Sequence, residues 1–441
     1  MTGTILKKSN LAIMGGEPVR EKLFPGHYFI GDEEKKAVST FIDSRKELSG
    51  FLGGWGDRFE GGEYVKKFEN EWSNYVKTKF TVSFNSNTSG LCAAIGAADV
   101  GPGDEVIVTP YSMSATATAI LAYQGIPVFA DINTKTFTLD PNSIKQKITS
   151  RTKAIMTTAI FGHPSDMDEI LKLAKDKNII VIEDTAQAPG AIYNNTLIGG
   201  LADMSVFSLN VHKHIHSGEG GMVTTNVEKF AHKLKLIRNH AEAVIDGNGQ
   251  EDLINCVGFN LRFTEIAAII ASEQLKKLPN LLDQRIENAN FLSKELSSLP
   301  GIEGTFVKKN CKHVYYVQPM LFDENIVGVK RDVFISAVQK ELPKAEDRPD
   351  GELLSTGFAK PIYLLPLFQK KIAYGANHWP FSYDDTSMKI DYSKGICPVT
   401  EDIEENKMFI NDYVRPPANI DDMKDVVNAF VKVYENKKDL I

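Results

Sequence analysis

Cysteine is scarce in this chain of 441 residues, and the four cysteines lie far apart. Cys92, Cys256, Cys311 and Cys397 include no Cys-x-x-Cys pair, which argues against a disulfide scaffold and a structural zinc site. Long apolar runs are also missing, since stretches such as Ile266–Ala271 are far too short to span a bilayer. The first residues lack the apolar run of a secretory signal. The sequence therefore predicts a soluble protein of the reducing cytoplasm.

Positive charge is in deficit as well. Lysine and arginine number 50 against 57 aspartates and glutamates, which gives a formal net charge of −7. This balance argues against broad electrostatic binding to nucleic acid or to an anionic membrane, but it allows a local basic pocket for a phosphate group. With 42% hydrophobic residues and length enough for two domains, the chain can bury a substantial core.

From about residue 80, short β-branched runs alternate with helical patterns, which is typical of an α/β sheet. Seven runs are predicted as strands: Phe80–Phe84, Glu105–Thr109, Val128–Ala130, Ala154–Thr158, Ile179–Ile182, Met204–Ser208 and Gly221–Thr225. Helices are predicted over Ser89–Asp99, Ala115–Tyr123, Ser165–Lys175, Lys229–Asn239 and Thr264–Leu278, with a second long helix over Pro279–Ser298.

The pattern changes beyond about residue 300. A strand around Val314–Leu321 and helices near Val333–Leu342 and Ile420–Asn436 indicate a smaller α+β domain. We expect a large α/β domain over residues 30–280 and a small domain over 281–441, with residues 1–29 packing nearby. Residues 241–255 and 374–395 are predicted as loops whose role the sequence leaves open.

Three segments carry residues suited to chemistry. The strand Phe80–Phe84 runs into Asn85–Gly90 and a helix, so free N–H groups could bind a phosphate there, although an ordinary helix cap explains the same residues. The apolar strand ending in Glu183 and Asp184 places a carboxylate at the carboxyl edge of the sheet. Such a carboxylate could hold a ring nitrogen protonated, bind a metal, or simply cap the next turn.

The third segment is a turn between two apolar strands that contains Lys213. A lysine in such a turn can be partly desolvated, which lowers its pKa and makes it a usable amine nucleophile, whereas most lysines are solvated surface charges. Three histidines, His212, His214 and His216, alternate around it and raise the alternative of a metal site. The following glycine-rich run indicates a turn, so packed or hydrogen-bonded histidines are favoured.

In this order, the segments resemble the DegT-type sugar aminotransferases, which depend on pyridoxal 5′-phosphate (PLP) and have the aspartate aminotransferase fold, type I. Besides the phosphate turn, the similar motifs are Gly101–Val106, Glu183–Gln187, Ser208 with Lys213 ahead of Gly218–Gly221, Arg238–His240 and Gly258–Arg262. The resemblance runs from about Phe51 to the end, and Leu11–Arg20 is similar to the lead-in of members that act on cyclitols. It implies a large, mostly parallel seven-stranded sheet domain and a smaller α+β C-terminal domain.

The resemblance also implies roles for single residues. Lys213 would hold the cofactor as a Schiff base and move the proton, Asp184 would pair with the pyridine nitrogen, and Gln187 would approach the ring hydroxyl. The remaining cofactor-binding residues would be Asn87, Thr88 and Ser208 at the phosphate, Met113 in place of the usual stacking aromatic residue, and Asn260. Because the family supplies the residue matching Asn260 from the neighbouring subunit, a homodimer with shared active sites is implied.

The substrate side of the pocket is less clearly marked. Candidate substrate residues are Tyr111, His163, His240 and Arg262. A glycine-rich segment with Gly53, Gly54, Gly56, Gly61 and Gly62 borders the substrate in the family, although a flexible connection explains it equally well.

The predicted reaction is transfer of an amino group from glutamate or glutamine to a keto-sugar, nucleotide-linked or not, or to a keto-cyclitol. Such a reaction belongs to amino-sugar, polysaccharide or secondary-metabolite biosynthesis. Three alternatives stay open: a non-catalytic PLP- or sugar-binding regulator, a PLP-dependent sugar dehydratase, and a metal-dependent enzyme using the three histidines. The dehydratases carry histidine in the lysine position; counting back from Gly218–Gly221 puts Lys213 there, which favours transamination.

Overall fold

The computed structural model describes residues 10–44, 46–249, 251–348, 351–382 and 390–441. Its strands, in chain order, are β1 Phe80–Phe84, β2 Glu105–Val108, β3 Ile126–Phe129, β4 Thr152–Thr158, β5 Ile180–Asp184, β6 Ile192–Tyr193, β7 Thr196–Leu197, β8 Met204–Ser208, β9 Gly221–Thr225, β10 Ile302–Glu303, β11 Cys311–Lys312, β12 Gln318–Phe322, β13 Leu354–Thr356 and β14 Met408–Asn411.

The α-helices alternate with these strands through the first part of the chain. They are α1 Asp32–Asp43, α2 Glu63–Val76, α3 Asn87–Ala97, α4 Ala115–Ala122, α5 Pro141–Lys147, α6 Met167–Lys175, α7 Glu228–Arg238, α8 Ile245–Asn248, α9 Glu265–Leu296, α10 Glu324–Val327, α11 Arg331–Glu341, α12 Pro366–Gln369, α13 Pro398–Asp402 and α14 Ile420–Glu435. No helix of the described residues is both long enough and apolar enough to cross a membrane.

The seven predicted strands form one sheet in the order β1-β9-β8-β5-β4-β2-β3. Strand β9 runs antiparallel to both of its neighbours, and the other pairs are parallel. Apolar runs such as Ile180–Ile182 are buried or nearly so because helices cover both faces, as in other α/β folds. The prediction of a large, mostly parallel seven-stranded sheet is confirmed.

A second, antiparallel sheet in the order β10-β12-β14-β13 packs with α11 and α14 in the C-terminal part of the chain. Its core also buries Leu11 and Phe24, and Arg20 pairs with Asp422 at 2.7 Å, so residues of the N-terminal segment contact this part of the chain. The smaller α+β domain is thereby confirmed.

Two local predictions were wrong. Pro279 does not separate two helices, because α9 continues through it as one helix and crosses the predicted domain boundary at 280/281. The boundary itself stays a prediction. The strand expected from Val314 begins only at Gln318, because the backbones of Val314 and Tyr316 instead donate to Gly162 and Phe161, at 3.1 and 2.7 Å.

The two predicted loops are only partly described. The described residues of 241–255 contain a 3-10 helix over Ala241–Ala243 and the short helix α8, and residue 250 lies outside the described residues. The described parts of 374–395 contain no helix or strand, and residues 383–389 lie outside the described residues.

Candidate active site

The three predicted segments meet at one edge of the large sheet. Strand β5 ends in Asp184, strand β8 ends in Ser208, and helix α3 begins at Asn87 just after β1. The side-chain amide of Asn87 donates to Asp184 Oδ1 at 3.4 Å and to the carbonyl oxygen of Val206 at 3.1 Å, which ties the start of α3 to both strands. The carboxyl edge of the sheet is where α/β proteins bind their ligands.

Asp184 is a buried carboxylate held from several sides. Its side chain is only 4% exposed, and its second oxygen, Oδ2, accepts a hydrogen bond of 2.8 Å from Thr116 Oγ1. Burial raises the pKa of Asp184, while the Thr116 hydroxyl and the positive charge of Lys213 act in the opposite direction. A buried carboxylate of this kind is suited to a cationic N–H group of a ligand.

Lys213 lies in the turn between β8 and β9, as predicted. Its backbone N–H donates to the carbonyl of Asn210 at 2.9 Å, and its Nζ stands 4.4 Å from the centre of the Tyr316 ring. Burial lowers the pKa of Lys213 to about 8, and the negative charge of Asp184 opposes that shift. Many molecules of the protein would therefore carry a neutral Lys213 amine near pH 8, which is the nucleophilic form.

Strand β9 approaches the start of helix α3 closely. Gly221 pairs with Phe84 of β1 on one side and with Ser208 of β8 on the other. A Cβ atom on Gly221 would lie 2.3 Å from the backbone oxygen of Ser86, so only glycine permits this approach. The exposed Thr88 is in the first turn of α3, where helix N–H groups have no partner within the helix. The free N–H groups at this helix start are suited to an anion such as a phosphate.

The three histidines around Lys213 do not form a metal site. His214 is buried and its Nε2 lies 2.9 Å from the carbonyl oxygen of Val314, whereas His212 is exposed. Among the described residues, no group of three or more His, Cys, Asp or Glu side chains could hold a metal ion.

The site fits PLP on three observations. The buried Asp184 carboxylate suits the pyridine nitrogen, the start of helix α3 suits the phosphate, and the lowered pKa of Lys213 suits attachment to the aldehyde carbon. The DegT/DnrJ/EryC1/StrS aminotransferase family matches residues 52–406 of the chain.

The chain belongs to this family. It is a PLP-dependent aminotransferase.

Several curated relatives are similar to this chain over most of its length. A protein of Methanocaldococcus jannaschii with no assigned function is 32% identical over 95% of this chain and all of its own length. A GDP-perosamine synthase of Caulobacter vibrioides is 35% identical over 62% of this chain and 72% of its own. The L-glutamine:2-deoxy-scyllo-inosose aminotransferase of Streptomyces fradiae is 28% identical over 98% and 99%.

Solved structures show the same fold. The aminotransferase of Psychrobacter cryohalolentis superposes with a TM-score of 0.77 at 26% identity, covering 94% of this chain and 99% of its own.

The other residues predicted to bind the cofactor differ in how far their side chains are buried. Gln187 is buried, and its side-chain oxygen accepts from the backbone N–H of Phe161 at 2.6 Å. Met113 is 65% exposed in the loop before α4. Asn260 is exposed and pairs through its backbone with Asn239. These roles stay predictions.

Two of the predicted substrate residues come together. Arg262 donates to Asn239 Oδ1 through Nε at 2.9 Å and through Nη2 at 2.7 Å. A Cβ atom on Gly53 would lie 3.5 Å from Arg262 Nη2 and 3.9 Å from His240, so one predicted border glycine joins them. In contrast, Gly62 packs against the carboxylate of Glu265. This carboxylate caps helix α2 by accepting hydrogen bonds from the backbone N–H groups of Tyr64 and Val65.

The other two predicted substrate residues lie in the interior. Tyr111 is 0% exposed, and its hydroxyl donates to Glu404 and accepts from the N–H of Phe358 at 3.1 Å. His163 is also buried, and its two ring nitrogens are engaged by Pro164 O at 2.7 Å and Lys308 N at 3.1 Å. Both side chains already have their hydrogen bonds within the protein, so we leave them out of the substrate pocket proposed below.

Two site residues were missed by the sequence analysis. Thr116, on the first turn of α4, could have been suspected because it follows the carboxyl end of β2. Tyr316 carries no such signal, because its position under Lys213 depends on the pairing of its backbone with Phe161.

Proposed function

We propose that this aminotransferase transfers an amino group from glutamate or glutamine to a keto-sugar or a related keto-cyclitol. The observation that carries the proposal is the half-buried Lys213 amine, its pKa lowered to about 8, at the same sheet edge as the buried Asp184. The similarity to the S. fradiae enzyme over 98% of this chain supports a keto-cyclitol as acceptor. The shorter match to a GDP-perosamine synthase supports a nucleotide-linked sugar.

In the proposed reaction, bound PLP supplies an electron sink that stabilises negative charge on the substrate carbon. Lys213 would move a proton between that carbon and the aldehyde-derived carbon of the cofactor, because a pKa of about 8 lets the amine both accept and return a proton near that pH. Asp184 keeps the ring nitrogen protonated, because a cation there compensates the cost of burying the carboxylate.

The remaining residues would hold the cofactor in place. We assign the phosphate to the N–H groups at Asn87 and Thr88 and to the Ser208 hydroxyl. The Asn87 side chain itself points to Asp184, so its amide would position the ring carboxylate rather than the phosphate. Gln187 would approach the ring hydroxyl, and Met113 would cover the ring through its polarisable sulfur.

We place the acceptor beside Arg262 and His240. Asn239 orients the Arg262 guanidinium and is itself fixed by donating to the carbonyl oxygens of Leu52 and Phe59, both at 2.8 Å. The acceptor pocket is therefore built on the segment that carries Gly53.

We propose further that the enzyme is a cytoplasmic homodimer with shared active sites. Exposed apolar side chains lie on the same segments as the site, which is unusual for a surface in contact with water. They are Leu52, Trp55, Met113, Val257 and Phe259. Asn260, next to Phe259, would enter the partner's site.

Subunit mixing tests the shared site. Lys213→Ala and Asn260→Ala subunits would each be inactive alone, whereas a mixed dimer has one site with both residues intact. We expect activity to return on mixing, to at most about half of the wild-type value per mixed dimer. No recovery, although mixed dimers are seen by native mass spectrometry, would show that Asn260 serves its own subunit.

Visible absorbance tests the reaction itself. We expect the purified protein to show the band of lysine-bound PLP, and glutamate or glutamine to convert it to the pyridoxamine form. A Lys213→Ala variant with the same band and full transaminase activity would refute the proposal. A cofactor spectrum that neither donor changes would favour a non-catalytic regulator, and release of water from the sugar without amine transfer would favour a dehydratase.

A further inference from the structure

The loop between β2 and α4, residues 109–114, is held by residues from a distant part of the chain. We call it the cofactor loop, because it carries Met113 and leads to Thr116 in the first turn of α4. Within this loop Tyr111 is fully buried, whereas Met113, two residues later, is 65% exposed. The loop is therefore fixed in the interior at Tyr111 and open to a ligand at Met113.

The Tyr111 hydroxyl has a partner on two sides. It donates to Oε2 of Glu404 and accepts from the backbone N–H of Phe358 at 3.1 Å. The same N–H also donates to Glu404 Oε2, at 2.8 Å. Burial, followed by the negative charge of Glu404, raises the pKa of Tyr111 well above its ordinary value of 10. The hydroxyl is therefore a proton donor at physiological pH, and Glu404 is its acceptor.

Glu404 is itself held by an unusual stretch of backbone. It lies in a single π-helical turn, Ile403–Lys407, which directly follows α13. Arg331 is 4% exposed and donates to three carbonyl oxygens in and beside this turn. They belong to Glu404 at 2.8 Å, Glu405 at 3.0 Å and Met408 at 2.9 Å. The guanidinium thus fixes a rare backbone geometry that is often found at functional sites.

The cofactor loop connects these contacts to the candidate site. Ser112, next to Tyr111, is buried, and its Oγ lies 3.1 Å from Thr116 Oγ1. The Thr116 hydroxyl donates to Asp184 Oδ2 at 2.8 Å. A displacement of Tyr111 would therefore disturb both Met113 and the hydrogen bonds around the Asp184 carboxylate.

We propose that Tyr111 and Glu404 are a positioning pair that holds the cofactor loop in the conformation that binds PLP. The inference rests on the proposed function only in taking Met113 and Asp184 as cofactor-binding residues. A loop that is ordered before binding loses little conformational entropy when the ligand arrives, so its affinity is higher than that of a mobile loop.

Three substitutions test the pair. Tyr111→Phe removes the hydroxyl and keeps the ring, which packs edge-on against Phe161 and Phe358 at centroid distances of 6.2 and 6.0 Å. Glu404→Gln keeps an oxygen that can accept from both donors, because both hydrogen bonds end on the same carboxylate oxygen. Glu404→Met has a similar length and removes that acceptor.

Tyr193→Phe is the matched control. Tyr193 is 4% exposed, and its hydroxyl donates to the Asp166 carboxylate at 3.0 Å. It also accepts from the backbone N–H of Asp168, at 3.4 Å. The control therefore loses the same kind of hydrogen bond from a buried tyrosine, but in strand β6 instead of the cofactor loop.

Two properties of the apoenzyme are measured: the backbone hydrogen exchange of peptides covering residues 109–118, and the Kd of PLP by spectral titration. We expect Tyr111→Phe and Glu404→Met to speed exchange in these peptides about threefold or more, because the loop opens more often. The Kd of PLP should rise about fivefold or more, because binding must then order the loop. Glu404→Gln and Tyr193→Phe should stay within about twofold of wild type in both measurements.

Exchange and PLP affinity in Tyr111→Phe equal to those of Tyr193→Phe would overturn the proposal, since the Tyr111 bond would then contribute to stability alone. Faster exchange with unchanged PLP affinity would also overturn it, because PLP would bind equally well to a mobile loop. If Tyr111→Phe does not fold, Glu404→Gln and Glu404→Met are compared by the same criteria. These measurements require no turnover, so failure to aminate a keto-sugar would refute the proposed function and leave this inference standing.

Discussion

Thr116 and Asp184 are joined by a hydrogen bond of 2.8 Å between the threonine hydroxyl and Asp184 Oδ2. The hydroxyl comes from the first turn of α4 and the carboxylate from the end of β5, so the bond links two neighbouring elements of the site. Thr116 also donates towards Ser112 Oγ at 3.1 Å, which gives the hydroxyl a second acceptor nearby. The bond favours the ionised form of Asp184 in a setting where burial disfavours it.

Thr116→Val should therefore weaken the binding of PLP. The substitution keeps the side-chain shape and removes a hydrogen bond to a charged acceptor, worth about 1.5–3 kcal/mol. We expect the Kd of PLP, measured by spectral titration of the apoenzyme, to rise about tenfold or more. Thr118→Val on the same helix is the control and should bind like wild type; equal affinity in both variants would contradict the proposed role.

Gly221→Ala should destabilise the protein and weaken the phosphate site. The added Cβ would meet backbone atoms of Ser86 and Asn87, at 2.3 and 2.6 Å, and these cannot rotate away. We expect a loss of about 1–3 kcal/mol in the free energy of unfolding, measured by urea titration, together with lower retention of PLP. Gly101→Ala is the control, because its Cβ would meet open space. Stability equal to that of the control would show that β9 can move away from α3.

The capture of PLP by the apoenzyme should follow the ionisation of Lys213. The neutral amine attacks the aldehyde, and burial lowers the pKa of Lys213 to about 8, so the rate should rise with pH and level off above about 8. Stopped-flow absorbance measures this rate, with Lys213→Ala as the blank. An inflection near 10.5, the ordinary value for lysine, would show that Lys213 is solvated in the apoenzyme.

Much of the large sheet could be predicted from the sequence because its strands are short apolar runs ended by polar or glycine residues. Strands β8 and β9 have the predicted bounds, and β5 differs only in extending through Asp184. The continuity of α9 could not be predicted, since proline normally ends or kinks a helix. Here the chain carries the helix through Pro279, which faces solvent.

Predicting the site was easier where its residues are close in sequence to a strand end. Asp184, Ser208 and Lys213 follow from this rule and from the resemblance to the family. Tyr316 could not be found in this way, because it reaches the site through contacts of a distant segment. Tyr111 and His163 were predicted as substrate residues. Their hydrogen-bond partners Glu404 and Lys308 lie in distant parts of the chain, so the sequence could not show that these side chains are already paired.

Glu183, next to Asp184 in β5, points to the other face of the sheet and is fully buried. The Ser205 hydroxyl on the neighbouring strand β8 opposes the shift, but burial raises the pKa of Glu183 to about 8. The side chain is therefore protonated at neutral pH in the folded protein, whereas in the unfolded chain it ionises near 4.5.

Glu183→Gln should reduce the pH dependence of stability. Between about pH 4.5 and 8 the folded protein binds one proton more at Glu183 than the unfolded chain does. The contribution of Glu183 to the free energy of unfolding is thus full below pH 4.5. It is lost as pH rises to about 8, by up to ~1.4 kcal/mol per pH unit. The glutamine variant, which stays neutral, should gain stability over wild type as pH rises through this window. Urea unfolding at pH 5, 6, 7 and 8 measures the difference in the free energy of unfolding. A substitution at the exposed Glu21, Glu21→Gln, is the control. Parallel curves of unfolding free energy against pH for wild type and Glu183→Gln would mean that Glu183 is ionised in the folded protein.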